Sequence, residues 1–131
     1  MLKKEITFKD YNGNEVKKAY YFNLEKAELL ELEMSTGGGL AEHIQKLIDE
    51  KNVPEIFKLF KMIVLKSYGV KSDDGSMFIK NEQVREAFVS SPAYSDIVME
   101  IVQSAEAAEA FMKAVLPELP SNAKLPENAT K

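Results

Sequence analysis

Two runs of alternating hydrophobic and polar residues begin the chain, with Asn12 and Gly13 between them. The hydrophobic positions recur at about every second residue: Ile6, Phe8, Val16, Tyr20 and Phe22. Asparagine followed by glycine is typical of a type I′ turn, because both residues tolerate positive φ and the turn follows the twist of the strands. The pattern predicts a β-hairpin over residues 3–22. A hairpin alone is marginal in water, so helices of this chain or another subunit must cover its apolar face.

The hydrophobic period changes after Asn23, which is placed to cap a first helix from Leu24 to about Met34. Two apolar stripes run along this helix. We assign one of them to the core: Leu24, Ala27, Leu30 and Met34. Leu29 and Leu32 fall on a different side, separated from the first stripe by glutamates. A hinge or tight corner is then predicted at Gly37, Gly38 and Gly39, because consecutive glycines lose too much backbone entropy to stay helical.

Helical periodicity recurs in several further segments up to residue 116. The second helix runs from Leu40 to about Lys51, and the third opens at Pro54 and ends near Gly69. The third helix carries Met62 and Leu65 on its charged face, away from its apolar stripe. Residues 77–79 predict a short strand beside the hairpin. Further helices are predicted after three capping residues: Asn81, Ser91 and Ser104.

These elements predict a mostly helical α+β fold, in which the N-terminal hairpin packs on about five helices. The chain has 131 residues, and 45% of them are hydrophobic, which suits a single globular domain over residues 1–116. The helical part of that domain spans residues 24–116. Residues 117–131 contain three prolines and almost no large apolar side chain, so we expect a disordered tail.

Composition excludes several classes of function. The formal net charge of −4 argues against a nucleic-acid partner, because phosphates require a basic surface. The chain has no cysteine, which excludes disulfides and thiolate chemistry and suits the cytoplasm. The longest apolar run covers only residues 62–65, far short of a membrane span, and the N-terminus lacks the features of a signal peptide.

Charge is distributed in blocks along the chain. Residues 23–50 hold seven acidic residues and two lysines (−5), whereas residues 51–71 hold five lysines and one glutamate (+4). We favour solvated helix faces as the explanation of these blocks. The alternative is that the blocks complement one another, within the fold or between copies of the chain.

Catalytic and metal-binding patterns are weak. His43 is the only histidine, so a two-histidine metal site is impossible. Residues 73–75 (Asp-Asp-Gly) lack the ligand spacing of a calcium loop and predict a turn. The glutamate pairs Glu28/Glu31 and Glu106/Glu109 lie on amphipathic helices, where solvated glutamates are common. We therefore predict no enzymatic activity, no cofactor and no metal.

Apolar residues outside the main stripes are the remaining candidates for function. They are predicted to bind a partner: Leu29, Leu32, Met62, Leu65 and Met99. Clusters of such residues mark interaction sites, whereas single exposed apolar residues are ordinary.

Six segments of the chain resemble the small tail assembly chaperones of long-tailed (siphovirus-type) phages and prophages. They are FKDYNGNE (8–15), YYFNLEKAELLELE (20–33), STGGGLAEHIQKLID (35–49), FKLFKMIVLKSYG (57–69), FIKNEQVREAF (78–88) and SPAYSDIVMEIV (91–102). The resemblance covers roughly residues 3–116 and contains no catalytic motif. It implies a protein in the cytoplasm of the bacterial host that binds the hydrophobic tape measure protein, keeps it soluble during tail tube assembly and is absent from the mature virion. It also implies a longer frameshifted form. The open edge of the hairpin and the alternating charge blocks could provide self-association of the chain.

Two other functions stay open on the sequence. A minor tail or connector protein of the virion would share the hairpin edge and the capacity for self-association. A small enzyme that uses carboxylates is the lesser alternative, because the chain lacks a catalytic histidine pair, cysteine and a phosphate loop.

Overall fold

The computed structural model describes residues 1–35 and 39–116. Four strands and six helices follow one another in these residues: β1 (Leu2–Lys9), β2 (Glu15–Phe22), α1 (Lys26–Ser35), α2 (Leu40–Asp49), α3 (Val53–Ser67), β3 (Tyr68–Lys71), β4 (Phe78–Ile79), α4 (Glu82–Val89), α5 (Pro92–Val102) and α6 (Ala105–Val115). The predicted α+β class with an N-terminal hairpin is confirmed. The predicted tail over 117–131 and the hinge residues Gly37 and Gly38 lie outside the described residues.

The N-terminal hairpin pairs β1 with β2 over their whole length, from Leu2 opposite Phe22 to Lys9 opposite Glu15. Its turn differs from the predicted type I′ turn. Gly13 has a φ of +85°, whereas Asn12 does not have the positive φ that this turn type requires. Five residues connect the strands instead, and the Asp10 carboxylate organises them. Its Oδ1 accepts hydrogen bonds from the backbone N–H groups of Asn12 and Asn14, both at 2.9 Å.

The sheet has the strand order β1-β2-β3-β4, and every pair is antiparallel. The predicted short strand is present as β4, but it reaches the hairpin only through β3. Sequence periodicity missed β3 because the apolar pattern of α3 continues into Tyr68. The helix ends at Ser67, and the extended backbone of Tyr68 pairs with Phe22 of β2.

Aromatic side chains join the sheet to the helices. Phe22 of β2 is fully buried, with its ring centroid 5.6 Å from that of Phe111 on α6. Tyr68 stacks on Phe88 of α4, with centroids 4.2 Å apart and planes 17° apart. Burial raises the pKa of the Tyr68 phenol above its usual range. These rings place the core between one face of the sheet and the helices.

The helix starts follow the predicted capping residues in three cases. Asn81, Ser91 and Ser104 each accept a backbone N–H of the first helical turn with their side chains. The third helix begins one residue before the predicted proline, with Asn52 as its cap. Asn23 is not the cap of α1, contrary to prediction. Its side-chain amide donates to Glu25 Oε2 at 2.7 Å, and α1 begins only at Lys26.

Two backbone hydrogen bonds join the segment between β2 and α1 to the ends of α3 and α6. The N–H of Asn23 donates to the carbonyl of Ser67 at 2.8 Å, and the N–H of Leu24 donates to the carbonyl of Val115 at 3.0 Å. Within the described residues, every helix is too short or too polar to cross a bilayer.

Candidate functional site

Helix α1 is apolar on two opposite faces, and the structure buries the face that is predicted to bind a partner. Leu29 is 5% exposed and Leu32 is also buried in the core, whereas Leu30 is 44% exposed and Met34 is 64% exposed. The prediction that Leu29 and Leu32 are spare apolar surface is therefore wrong. The error arose because both stripes have helical spacing. Leu24 is buried as predicted, but it precedes the helix and so does not fix the orientation of α1.

The exposed face of α1 is an apolar strip with an acidic neighbour. We call it the α1 outer stripe, and it consists of Ala27, Leu30, Glu31 and Met34, which are all exposed. Positions three, four and seven residues apart lie together on one side of a helix. No basic residue occurs in the last turn of α1. The stripe is therefore apolar with one acidic residue, Glu31, and Lys26 lies one turn before Leu30.

A second apolar surface lies in an open groove of about 550 Å³ between α1, α3 and α4. Its apolar residues are Leu32, Met62 and Leu65. Met62 is 36% exposed, and Leu65 is half-buried where it packs against the core. Of the five predicted partner residues, Met62 and Leu65 thus come together at this docking groove, which the buried Leu32 also lines. Met99 is exposed on α5 and does not line it, and Leu29 lies in the core.

Cationic side chains surround the apolar part of the docking groove: Lys58, Lys61, Lys66 and Arg85. Lys58 contacts Glu55 at 3.4 Å, one helical turn away on α3. Lys61, Lys66 and Arg85 have no carboxylate within 4 Å in residues 1–35 and 39–116. Lys58, Lys61 and Lys66 belong to the +4 block of residues 51–71, for which solvated helix faces are the expected explanation. Both apolar and positively charged side chains therefore line the groove.

The family model described as phage tail assembly chaperone matches residues 1–129 of the chain. The chain belongs to this family. No curated protein and no solved structure matches it. The resemblance inferred from the six sequence segments is confirmed, and the docking groove and the α1 outer stripe become the exposed apolar surfaces of a tail assembly chaperone.

The start of α2 in this chaperone depends on Gly39 and Glu33. Gly39 has a φ of +101°, a conformation that favours glycine, and a side chain there would meet Glu33 Oε1 at 3.2 Å. The same Glu33 oxygen accepts the backbone N–H of Leu40 at 2.7 Å. Glu33 thus satisfies a free N–H at the first turn of α2, although it comes from the preceding helix. Movement about Gly39 as a hinge stays a prediction.

Two of the four glutamates that are candidates for acid–base chemistry, Glu28 and Glu109, have a lysine partner, Lys80 and Lys113 respectively. Both oxygens of Glu28 accept hydrogen bonds from Lys80 Nζ at 2.8 Å. In the part of the chain that the structure describes, no group of three acidic or histidine residues is placed to hold a metal ion. His43 is half-buried on α2. The contacts of Glu28 are thus those of a structural ion pair.

The predicted turn at residues 73–75 is confirmed, and Asp74 organises it. Its Oδ1 accepts the backbone N–H of Ser76 at 2.9 Å and the hydroxyl groups of Ser76 and Ser72 at 2.8 Å and 2.9 Å. These bonds, with the Ser76 N–H first, lower the pKa of Asp74 to about 2. The turn sets β4 beside β3, because Gly75 supplies the positive φ of +78° that the chain needs there.

Proposed function

We propose that this chaperone binds the tape measure protein through the docking groove. Binding would keep that hydrophobic protein soluble in the cytoplasm of the bacterial host while the tail tube assembles, and the chaperone would be absent from the mature virion. The observation that carries the proposal is that Met62 and Leu65 come together, beside the buried Leu32, at one open groove of a chain that belongs to the tail assembly chaperones. No catalytic step is part of it.

The shape and chemistry of the groove suit an amphipathic helix. An apolar groove between helices accepts one face of a partner helix, which inserts residues at positions i, i+3 or i+4 and i+7. A methionine at the edge adapts to partners of different shape, because its side chain is unbranched and flexible. Removing the exposed part of Met62 from water would contribute about 1 kcal/mol, so several such contacts are needed for stable binding.

Co-purification with the tape measure protein tests the proposal. The chaperone is co-expressed with the tape measure protein encoded in the same phage genome, and the amount of tape measure protein recovered in soluble complex is measured. We expect Met62→Glu to reduce recovery at least about tenfold, because a carboxylate in the groove costs several kcal/mol to desolvate on binding. The Met77→Glu variant is the matched control, because Met77 is also exposed but lies in the β3–β4 connection, outside the groove.

Equal recovery with the two variants would refute the groove as the binding surface. The Met99→Glu variant tests the remaining predicted residue in the same assay, and a loss at Met99 alone would move the surface to α5. Circular dichroism of each purified variant shows whether it has kept its fold. Mass spectrometry of purified particles tests the absence from the virion, since peptides of this chain in the particles would favour a minor tail or connector protein.

A further inference from the structure

We propose that, in the absence of client, the docking groove is filled by the α1 outer stripe of a second copy of this chain. The proposal concerns the free protein. Both surfaces belong to the described residues, so their apolar and charged groups can be compared directly.

Both surfaces are apolar. The groove presents Met62 and Leu65, and the buried Leu32 also lines it. The α1 outer stripe presents Ala27, Leu30 and Met34 on one side of a single helix, which is the form of ligand that a groove between helices accepts. Leu30 and Met34 are 44% and 64% exposed in one copy, and docking would remove both from water.

The charges of the two surfaces are opposite. Lys61, Lys66 and Arg85 at the groove have no carboxylate partner in the described residues. Glu31 lies within the α1 outer stripe, and the segment that contains the stripe has a net charge of −5, against +4 for the segment that contains most of the groove cations. Opposite potentials favour the encounter and fix the register of two surfaces.

The two surfaces are also adjacent in one molecule. Ser35 lines the groove, and it directly follows Met34 of the stripe. In a dimer whose twofold axis passes beside α1, the α1 of each copy would lie in the groove of the other, and both contacts would form at once. We infer a symmetric dimer. If the groove also binds the client, as proposed above, the client would displace the second copy.

Analytical ultracentrifugation of the purified full chain, without any client, tests this dimer over a concentration series. We expect a dimer that dissociates on dilution and weakens as salt is raised. Two charge-reversed variants are then compared. Glu31→Lys changes the stripe, and the double substitution Lys61→Glu with Arg85→Glu changes the groove. Each variant alone should dimerise at least about tenfold more weakly than the unmodified chain, because both contacts become repulsive.

The mixture of the two variants is the decisive measurement. In the mixed dimer, one contact joins the reversed groove to the reversed stripe, and the other joins the native groove to the native stripe. The dissociation constant of the dimer in the mixture should therefore return to within about threefold of that of the unmodified chain. Non-specific aggregation or misfolding would not be rescued in this way. Met34→Glu should also weaken the dimer, and Met77→Glu should leave it unchanged.

A chain that stays monomeric at all concentrations overturns the proposal, as does a dimer that is indifferent to both charge reversals or that the mixture fails to restore. Circular dichroism of each variant confirms that helix content is retained. Because this assay contains no tape measure protein, a negative result leaves client binding untouched. Conversely, failure of the co-purification test leaves the dimer standing.

Discussion

The ring of Phe78 occupies the space where a side chain of Gly69 would lie. A Cβ built on Gly69 would meet Phe78 Cε2 at 2.7 Å, which is closer than real carbon contacts. Gly69 is buried in β3, where it pairs with Tyr21 of β2, and Phe78 belongs to β4 on the other side of β3. The missing side chain therefore allows Phe78 to pack across the sheet.

We expect Gly69→Ala to destabilise the fold by about 1–3 kcal/mol, because the added methyl group must push the Phe78 ring aside. Urea unfolding followed by circular dichroism measures the change. The double variant Gly69→Ala with Phe78→Leu should recover part of the loss, since leucine leaves more room. A Gly69→Ala chain as stable as the original would show that Phe78 moves at no cost.

The assignment of the two faces of α1 predicts opposite results for two neighbouring leucines. Leu29→Ala should destabilise the fold by about 2–4 kcal/mol, since it leaves a cavity in the core. Leu30→Ala should change stability by less than about 0.5 kcal/mol, because Leu30 lies on the outer face and alanine favours helix. Thermal unfolding of both variants in parallel checks this, and equal losses would mean that α1 is rotated differently.

The interaction of Lys80 with Glu28 predicts a measurable contribution to stability. Lys80 Nζ contacts both Glu28 oxygens at 2.8 Å and the carbonyl of Asn23 at 2.7 Å, with both side chains mostly buried. Lys80→Met should cost about 1–3 kcal/mol, because it leaves a carboxylate without its cation. The exposed pair of Lys58 and Glu55 is the control, and Lys58→Met should cost less than about 0.5 kcal/mol. If the two lysine variants lose stability equally, burial adds nothing to the Lys80 pair.

Asp74 predicts a change of stability with pH. The pKa of its carboxyl is lowered to about 2 in the fold, and an unfolded aspartate has a pKa of about 3.9. The ionised form is favoured by folding, so its contribution is fully present above about pH 4 and is lost as pH falls through about 2. An NMR titration of the Asp74 carboxyl carbon should have its midpoint near 2, and the stability difference from Asp74→Asn should shrink over the same interval. A midpoint near 4 would contradict the hydrogen bonds of the turn.

Local signals in the sequence were sufficient for the hairpin and for several helix starts, because each depends on a few neighbouring residues. Asn81, Ser91 and Ser104 cap helices as predicted, since a side-chain oxygen before a helix serves the first turn wherever the helix lies in the fold. The same rule fails at Asn23. The N–H of Glu25 donates to Glu28 at 2.8 Å, and Glu28 also binds the distant Lys80. That arrangement needs tertiary contacts that no local pattern reveals.

Only part of the candidate site could be predicted from the sequence. Met62 and Leu65 stood out because they interrupt a charged helix face, and the structure does place them at one groove. Their neighbour Arg85 comes from α4, and its place beside them depends on how α3 and α4 pack. The two faces of α1 were indistinguishable because leucine spacing fits both, and only the packing against the sheet selects Leu29 and Leu32 for the interior.

The hydrogen bond from Leu24 to Val115 has a consequence for the order in which the chain is made. The ribosome releases the hairpin and α1 long before α6. The N–H of Leu24, which lies between the hairpin and α1, therefore has no partner until Val115 is synthesised near the end of the described residues. The same holds for Phe22, whose ring packs against Phe111. Nascent chains that stop before residue 105 should therefore be cleaved by proteases near Phe22 and Leu24. This sensitivity should disappear once α6 has been synthesised.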